Sequence, residues 1–148
     1  VVKRCIGCGA CERTGNCVFT DDDFTTHFLP ALLEADIVVL SSPVYFYAFP
    51  ADIKALIDRT QVLWSRKYRL NTLDFSGRKR KGVLLAVAAT RGKDLFNGME
   101  QTARYFFDAA GIDYAGSLCY RGIDEAGEIK TQTTVHQDIE KLVHQLCG

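Results

Sequence analysis

The hydrophobic positions of the chain form two alternating patterns, continuous apolar runs and spaced apolar stripes. Continuous runs are typical of strands buried on both faces of a parallel sheet, whereas a stripe at every third or fourth residue is typical of a helix. The runs predict strands over residues 36–42, 82–89 and 115–123, and the stripes predict helices over residues 21–35, 52–68, 93–110 and 133–146. This alternation predicts one α/β domain with a parallel sheet that helices cover on both faces.

Two loops that follow predicted strands are candidates for a binding site, because ligands of open parallel sheets bind at the carboxyl ends of the strands. The first loop, residues 41–50, carries aromatic side chains on which a flat heteroaromatic ring can stack. In the second loop, the Thr90 hydroxyl, the Arg91 side chain and backbone amides near Gly92 can bind an anionic or carbonyl edge. A hydrophobic contact between subunits is an alternative interpretation of the aromatic loop.

Four cysteines near the start of the chain have the spacing C-x2-C-x2-C-x5-C, at Cys5, Cys8, Cys11 and Cys17. Thiolates this close repel one another unless a positive group lies between them, and interspersed glycines let the loop close around it. The spacing is typical of a loop that holds a cubic iron–sulfur cluster. Zinc more usually takes two separated pairs of ligands. Structural or redox-active thiols are a third interpretation.

The composition indicates a single domain in a reducing compartment. A chain of 148 residues with 47% hydrophobic content can build one core but not two. Its six cysteines do not make it a small disulfide-rich secreted protein, so we expect a cytoplasmic location. Cys119 and Cys147 are predicted to be small buried apolar side chains. No apolar run approaches the roughly 18 residues of a membrane span, and no signal peptide opens the chain.

The charged residues suggest no nucleic-acid partner. The formal net charge is zero, and the basic run 78–81 is predicted to be a solvated turn before a strand. The acidic run 21–23 is predicted to cap a helix N-terminus. His27, His136 and His144 all fall in predicted helices away from the strand-end loops, so no catalytic acid, base or nucleophile is expected.

Together these motifs resemble the iron–sulfur flavoproteins within the flavodoxin-like, NAD(P)H-dependent FMN reductases. The resemblance rests on the cysteine motif, the acidic run after it, and the segments Ala35-Asp-Ile-Val38, Ser42-Pro-Val-Tyr-Phe46 and Lys54-Ala-Leu-Ile-Asp-Arg59. It is dense over residues 4–64 and looser, but colinear, to the end of the chain.

The resemblance implies a flavodoxin-like, doubly wound parallel sheet in three α/β/α layers. It makes residues 1–148 one domain, with residues 4–20 as an iron–sulfur loop within it. In that fold the first strand leads into a loop that binds the FMN phosphate. The sequence begins after the family's second strand, so we expect the first strand and the phosphate loop to be missing from it.

The resemblance also implies two cofactors, FMN at the strand ends and a [4Fe–4S] cluster nearby. The four clustered cysteines are the expected cluster ligands. The expected FMN contacts are Ser42, Pro43, Val44, Tyr45, Phe46, Thr90, Arg91 and Gly92.

The function that follows is a redox flavoprotein that passes electrons between a reduced donor and an acceptor through the cluster and FMN. Ferredoxin, NAD(P)H, a quinone, oxygen and peroxide are candidate donors and acceptors. The alternatives are an NAD(P)H-dependent FMN or quinone reductase without a cluster, a flavodoxin-like electron carrier, and a small zinc-binding interaction domain. Because aromatic residues 46–49 and Trp64 offer more apolar surface than one flavin covers, we also expect a homodimer or homotetramer.

Overall fold

A computed structural model describes residues 1–147 of the chain. The strands are β1 (Ile37–Pro43), β2 (Lys81–Ala88) and β3 (Asp113–Arg121). The α-helices are α1 (Ala10–Thr14), α2 (Leu29–Glu34), α3 (Ala51–Arg59), α4 (Gln61–Trp64), α5 (Asn97–Ala109) and α6 (Val135–Cys147). Two π-helical turns cover Phe24–Phe28 and Ser65–Arg69, and a 3-10 turn covers Glu128–Thr131. Strands and helices alternate as the apolar pattern predicts.

The three strands form a parallel sheet in the order β1-β2-β3. The register pairs Val39 with Val83, and it shifts by one residue between Gly82 and Val83 where β2 meets β3. The ring of Phe107 lies only 2.5 Å from where a Cβ on Gly82 would stand, so α5 packs directly on the β2 backbone. Close packing of this kind requires glycine at that position.

Helices cover both faces of the sheet. Alternate residues of β2, from Leu84 to Ala88, join a buried core with α2, α4 and α5. The intervening residues of β2 face a cavity that is also lined by Val135 and Ile139 of α6. At this second face the Lys81 ammonium donates hydrogen bonds to the last carbonyls of α6, which fixes that helix on the sheet.

On the α6 side, β1 is less well covered than β2. Within residues 1–147, strand β1 pairs with β2 alone, and its Ile37 and Val39 side chains are 42% and 51% exposed. Among residues 1–147, no helix has both the length and the apolar character needed to span a bilayer.

Two predicted helices are interrupted for local reasons. Pro30 has no N–H to donate into the helix of residues 21–35, and the Leu29 amide instead bonds the Phe24 carbonyl five residues back. The helix predicted over residues 52–68 breaks at Thr60, whose backbone and side chain both donate to the Ile57 carbonyl. Thr60 thus closes α3 and lets α4 start in a new direction.

The prediction of a solvated turn at residues 78–81 was wrong for Arg80, which is only 2% exposed. Its Nε and Nη1 atoms donate to the carbonyls of Ala35 and Ala110, and Nη2 donates to that of Leu32. These carbonyls lie at the ends of α2 and α5, where a positive charge is favourable. Arg80 therefore links the C-terminal ends of α2 and α5.

The prediction for the isolated cysteines was correct in part. Cys119 is half-buried in β3, and burial raises the pKa of its thiol. Cys147 is exposed at the end of α6, so it is not the buried apolar side chain that was predicted. The three histidines are exposed on their helices.

Candidate functional site

The four clustered cysteines lie in and beside α1, with Cys11 inside the helix and the other three in the segments that flank it. Glycines with positive φ precede and follow this short helix, Gly9 at 68° and Gly15 at 70°, and Gly7 at 65° lies between the first two cysteines. These angles reverse the chain at little steric cost only for glycine. The sequence therefore bends the loop back on itself, as the cysteine spacing predicts.

All four cysteine side chains line one cavity of about 260 Å³, together with apolar side chains that include Phe19 and Val62. All four are free thiols. No three His, Cys, Asp or Glu side chains in the described chain converge on a single ion position. Cys11 and Cys17 are half-buried and Cys5 and Cys8 are exposed, and all four line the same cavity. Four cysteines are the number of ligands that a cubane takes, one for each iron. The donor set and the cavity fit an iron–sulfur cluster.

A second set of residues anchors this loop to the domain. The buried Ser65 hydroxyl donates to the Cys11 sulfur at 3.5 Å. Arg66 donates from Nε to the Gly15 carbonyl at 2.6 Å and from Nη2 to the Asn16 side chain at 3.2 Å. Both anchors come from the π-helical turn after α4, so the position of α4 determines where the cysteine loop sits.

Asp22 supplies a third anchor that the sequence analysis missed. Its carboxylate is buried and forms an ion pair with Arg59, with Oδ2 and Nη1 2.6 Å apart. It also accepts hydrogen bonds from the backbone amides of Lys3 and Thr25. The Arg59 guanidinium, by donating hydrogen bonds, holds the pKa of Asp22 well below its usual range. The predicted helix cap is present in the Thr25 contact, but the larger role of Asp22 is to bind the segment before the cysteines.

The aromatic loop after β1 forms a tight hairpin. Tyr45 and Ala48 exchange two backbone hydrogen bonds of 2.9 Å, and the residues between them, Phe46 and Tyr47, have φ values of 50° and 63°. Positive φ at both central positions is the geometry of a type I′ turn. The turn presents Phe46 fully exposed, whereas Phe49 is buried in the core.

The structure brings the two predicted strand-end loops into contact. The Tyr47 hydroxyl lies 2.8 Å from where a Cβ on Gly92 would stand, so only glycine lets this ring pack on the second loop. The Arg91 guanidinium lies in the same way against Gly122 at the end of β3. Loops from all three strands therefore meet at one edge of the sheet. Tyr47 was absent from the predicted site residues, although its place in the aromatic run was a signal for it.

Not every predicted contact residue has its polar groups free. The buried Ser42 hydroxyl donates to the Pro43 carbonyl at 2.7 Å, and the Val44 amide donates to the Val87 carbonyl. The backbone amides of Phe46 and Arg91 have no carbonyl partner within residues 1–147. The groups able to meet a ligand are thus the turn amides and exposed side chains, rather than the Ser42 hydroxyl.

Comparison with known proteins identifies the family and the fold. Residues 20–146 match the family model described as a flavodoxin-like fold. An iron–sulfur flavoprotein of Methanosarcina thermophila is 33% identical over 149 residues, which cover 99% of this chain and 71% of that protein. The chain belongs to the iron–sulfur flavoprotein family. This confirms the predicted family and its α/β, flavodoxin-like fold.

Two further proteins define the extent of the similarity. An iron–sulfur flavoprotein of Methanocaldococcus jannaschii is 33% identical over 105 residues, and the match covers 71% of this chain but only 49% of that protein. The chain thus spans about half the length of this relative. The Trp repressor binding protein from Bacillus subtilis has a similar fold, with a TM-score of 0.58 and 21% identity over 81% of this chain and 73% of that one.

Proposed function

We propose that this iron–sulfur flavoprotein passes electrons between a reduced donor and an acceptor through a [4Fe–4S] cluster and FMN. The observation that carries the proposal is the single cavity shared by Cys5, Cys8, Cys11 and Cys17. Four thiols that line one cavity are a suitable ligand set for a cluster. The match to the iron–sulfur flavoproteins supports a flavin as the second cofactor.

The residues around the cysteine cavity have defined tasks in this proposal. The four thiolates would bind the irons, Phe19 and Val62 give the cavity an apolar wall, and the Ser65 hydroxyl donates to the Cys11 sulfur. Hydrogen bonds to sulfur and exclusion of solvent both tune the potential of such a site. When bound, a cluster supplies one-electron transfer, and a flavin exchanges either one or two electrons.

The strand-end loops are the proposed flavin site. The exposed rings of Tyr45 and Phe46 offer stacking surface, and the free amides of Phe46 and Arg91 point to hydrogen bonding with the polar edge of the ring system. Thr90 and Arg91 are exposed beside them. Ser42, Pro43, Val44 and Gly92 would shape the backbone of the site rather than donate side-chain hydrogen bonds.

Helix α3 connects the two proposed sites. It begins at Ala51, directly after the aromatic loop, and ends at Arg59, which lines the cysteine cavity. With a rise of about 1.5 Å per residue, its two ends are about 12 Å apart. A single rigid element thus sets the separation of the flavin loop and the cysteine loop, which is what electron transfer between fixed centres needs.

The cluster is tested by purifying the protein without oxygen and measuring iron, acid-labile sulfide and zinc. We expect about four irons and about four sulfides per chain, with broad absorption in the visible range. Cys8→Ala should abolish both, whereas Cys147→Ala should leave both unchanged, because Cys147 is exposed at the far end of α6. Stoichiometric zinc without sulfide contradicts the proposal and favours the zinc-binding alternative.

The flavin site is tested by FMN titration of the same protein. Tyr45→Ala combined with Arg91→Ala should weaken FMN binding, whereas His136→Ala, which removes an exposed ring on α6, should not. Equal FMN affinity in the double variant contradicts this placement. Anaerobic addition of NADH then separates two roles, since loss of flavin absorption indicates a reductase and an unchanged spectrum indicates a carrier served by another donor.

A further inference from the structure

Arg59 is buried at the boundary between the domain core and the cysteine loop. It is the last residue of α3 and is 2% exposed. Its Nη1 donates to the Lys3 carbonyl and to Asp22 Oδ2, each at 2.6 Å. Its Nη2 donates to Asp22 Oδ1 at 3.1 Å and to the Thr25 hydroxyl at 3.2 Å. Four hydrogen bonds thus use the two terminal nitrogens and none uses Nε.

The Arg59 Nε–H is a buried donor with no partner among residues 1–147. Buried polar groups in folded proteins are nearly always satisfied, so an unpaired one calls for a partner such as an ion or a ligand. Arg80 gives the internal comparison, because it is equally buried and its Nε does have a partner, the Ala35 carbonyl. The unpaired Nε–H of Arg59 therefore reflects its particular site and is not common to every buried arginine in this fold.

The orientation of the Arg59 guanidinium is fixed on all sides. The group lies over the rings of Phe19 and Phe24, with centroid distances of 5.2 and 4.5 Å. Because a guanidinium is planar and rigid, fixing both Nη atoms on Asp22 also fixes the direction of Nε–H. Nε is consequently a preorganised donor, with no rotational freedom to lose when it meets an acceptor.

The cysteine cavity is the place where an acceptor is available. Arg59 lines this cavity together with Cys17. The Asp22 carboxylate occupies the two Nη atoms, so Nε is the guanidinium nitrogen left to meet an acceptor in this cavity.

We propose that the Arg59 Nε–H donates a charge-assisted hydrogen bond to the Cys17 sulfur when that sulfur ligates the cluster, and that this bond raises the cluster reduction potential. The inference rests on the proposed cluster site. Reduction adds negative charge to a centre whose thiolates are already negative, and a donor aimed at a ligand sulfur stabilises the reduced form more than the oxidised one. Arg59 acts through Cys17 and is a positioning residue.

The test compares anaerobic redox titrations of wild-type holoprotein, Arg59→Lys and Arg80→Lys. Lysine keeps the positive charge and can still pair with Asp22. Its single ammonium group cannot bind both Asp22 oxygens and at the same time hold a second N–H in a fixed direction, as the guanidinium does. We expect Arg59→Lys to retain iron and sulfide and to shift the reduction potential to a lower value. Arg80→Lys shortens an equally buried arginine away from the cavity and should leave the potential unchanged. An unshifted potential in a loaded Arg59→Lys protein overturns the inference.

A second measurement needs no substitution and decides the case if Arg59→Lys fails to fold or to load. Holoprotein labelled with nitrogen-15 in its arginine side chains is reduced and studied by pulsed electron paramagnetic resonance. A coupling between an arginine side-chain nitrogen and the reduced cluster supports the hydrogen bond, and its absence overturns it. Wild-type protein without iron and sulfide would overturn the proposed function as well, so the two failures can be told apart.

Discussion

The carboxylate of Asp22 and the guanidinium of Arg59 form a fully buried ion pair between residues 37 positions apart, with Oδ2 and Nη1 2.6 Å from each other. The pair closes a clasp around the cysteine segment, because Asp22 also accepts from the Lys3 amide and Arg59 donates to the Lys3 carbonyl. The residue just before the cysteine loop is thus bound through both of its backbone polar groups. We therefore expect this clasp to hold the start of the cysteine loop in place before any cofactor binds.

Asp22→Asn should be strongly destabilising, because it leaves the Arg59 charge buried without its counter-charge. Breaking one side of a buried pair typically costs about 3–5 kcal/mol. Urea unfolding of the cofactor-free protein near neutral pH measures this loss. Asp21→Asn is the matched control, since Asp21 is exposed and forms a surface ion pair with Lys3, and we expect little change from it. Equal effects of the two substitutions would contradict the clasp.

The same pair predicts a dependence of stability on pH. Hydrogen bonds from Arg59 lower the pKa of Asp22 in the folded protein, so its contribution to the free energy of unfolding is complete above the ordinary aspartate pKa. That contribution is lost as the pH falls below about 4. Unfolding free energies measured through this range should fall more steeply for the wild-type protein than for Asp22→Asn.

The sequence predicts helices and strands better than it predicts the tertiary partners of charged side chains. The apolar run of β2 is buried on both faces, so the pattern of apolar residues is enough to locate it. The observed strand differs from the prediction by one residue at each end. Arg59 and Arg80 were both missed. An arginine at a helix end or in a basic run has the same local pattern whether it is solvated or buried. Only its tertiary partners distinguish the two cases.

In the candidate site, too, local features could be predicted from the sequence and tertiary contacts could not. The cysteine loop and the strand-end loops were predictable because spacing, glycines and strand termini are local features. The contact of Tyr47 with Gly92 was not, because it depends on two positive φ values that turn the ring toward the second loop. Phe49, expected at a subunit contact, is buried in the core instead, because the same turn points it inward.

Gly92→Ala should weaken FMN binding while leaving folding stability nearly unchanged. The new methyl group would stand 2.8 Å from the Tyr47 hydroxyl, and the half-exposed ring can move away from it, which shifts the aromatic loop. We expect a loss of about 1 kcal/mol in FMN binding free energy, about fivefold in Kd. Adding Tyr47→Phe removes the clashing oxygen and should restore affinity. If the double variant binds no better than Gly92→Ala, the two loops are not coupled in this way.

Tyr120 should titrate late and report on the docking of α6. Burial, together with a 2.9 Å hydrogen bond donated to Asp138, raises the pKa of Tyr120 to about 12. A raised folded-state pKa means that the contribution to stability is complete below about pH 10 and is lost as the pH rises toward 12. Ultraviolet titration should show a late tyrosinate component that is smaller in Tyr120→Phe, because burial also raises the pKa of Tyr114. The stability difference between the two proteins should shrink over the same range.

The last prediction concerns assembly, for which the exposed aromatic surface is the basis. A groove of about 830 Å³ between α3–α4 and α5 is lined by Trp64, Tyr68 and Tyr105, and Phe46 is fully exposed. Large exposed aromatic surfaces on a small domain usually mark a partner interface, and closed homo-oligomers are the common solution. We expect light scattering of the holoprotein at micromolar concentration to give a dimer or tetramer. Tyr105→Glu should reduce the mass by burying a charge at the contact, whereas His136→Glu on α6 should not. A monomer mass for the wild-type protein would leave the groove without this role and favour the electron-carrier alternative.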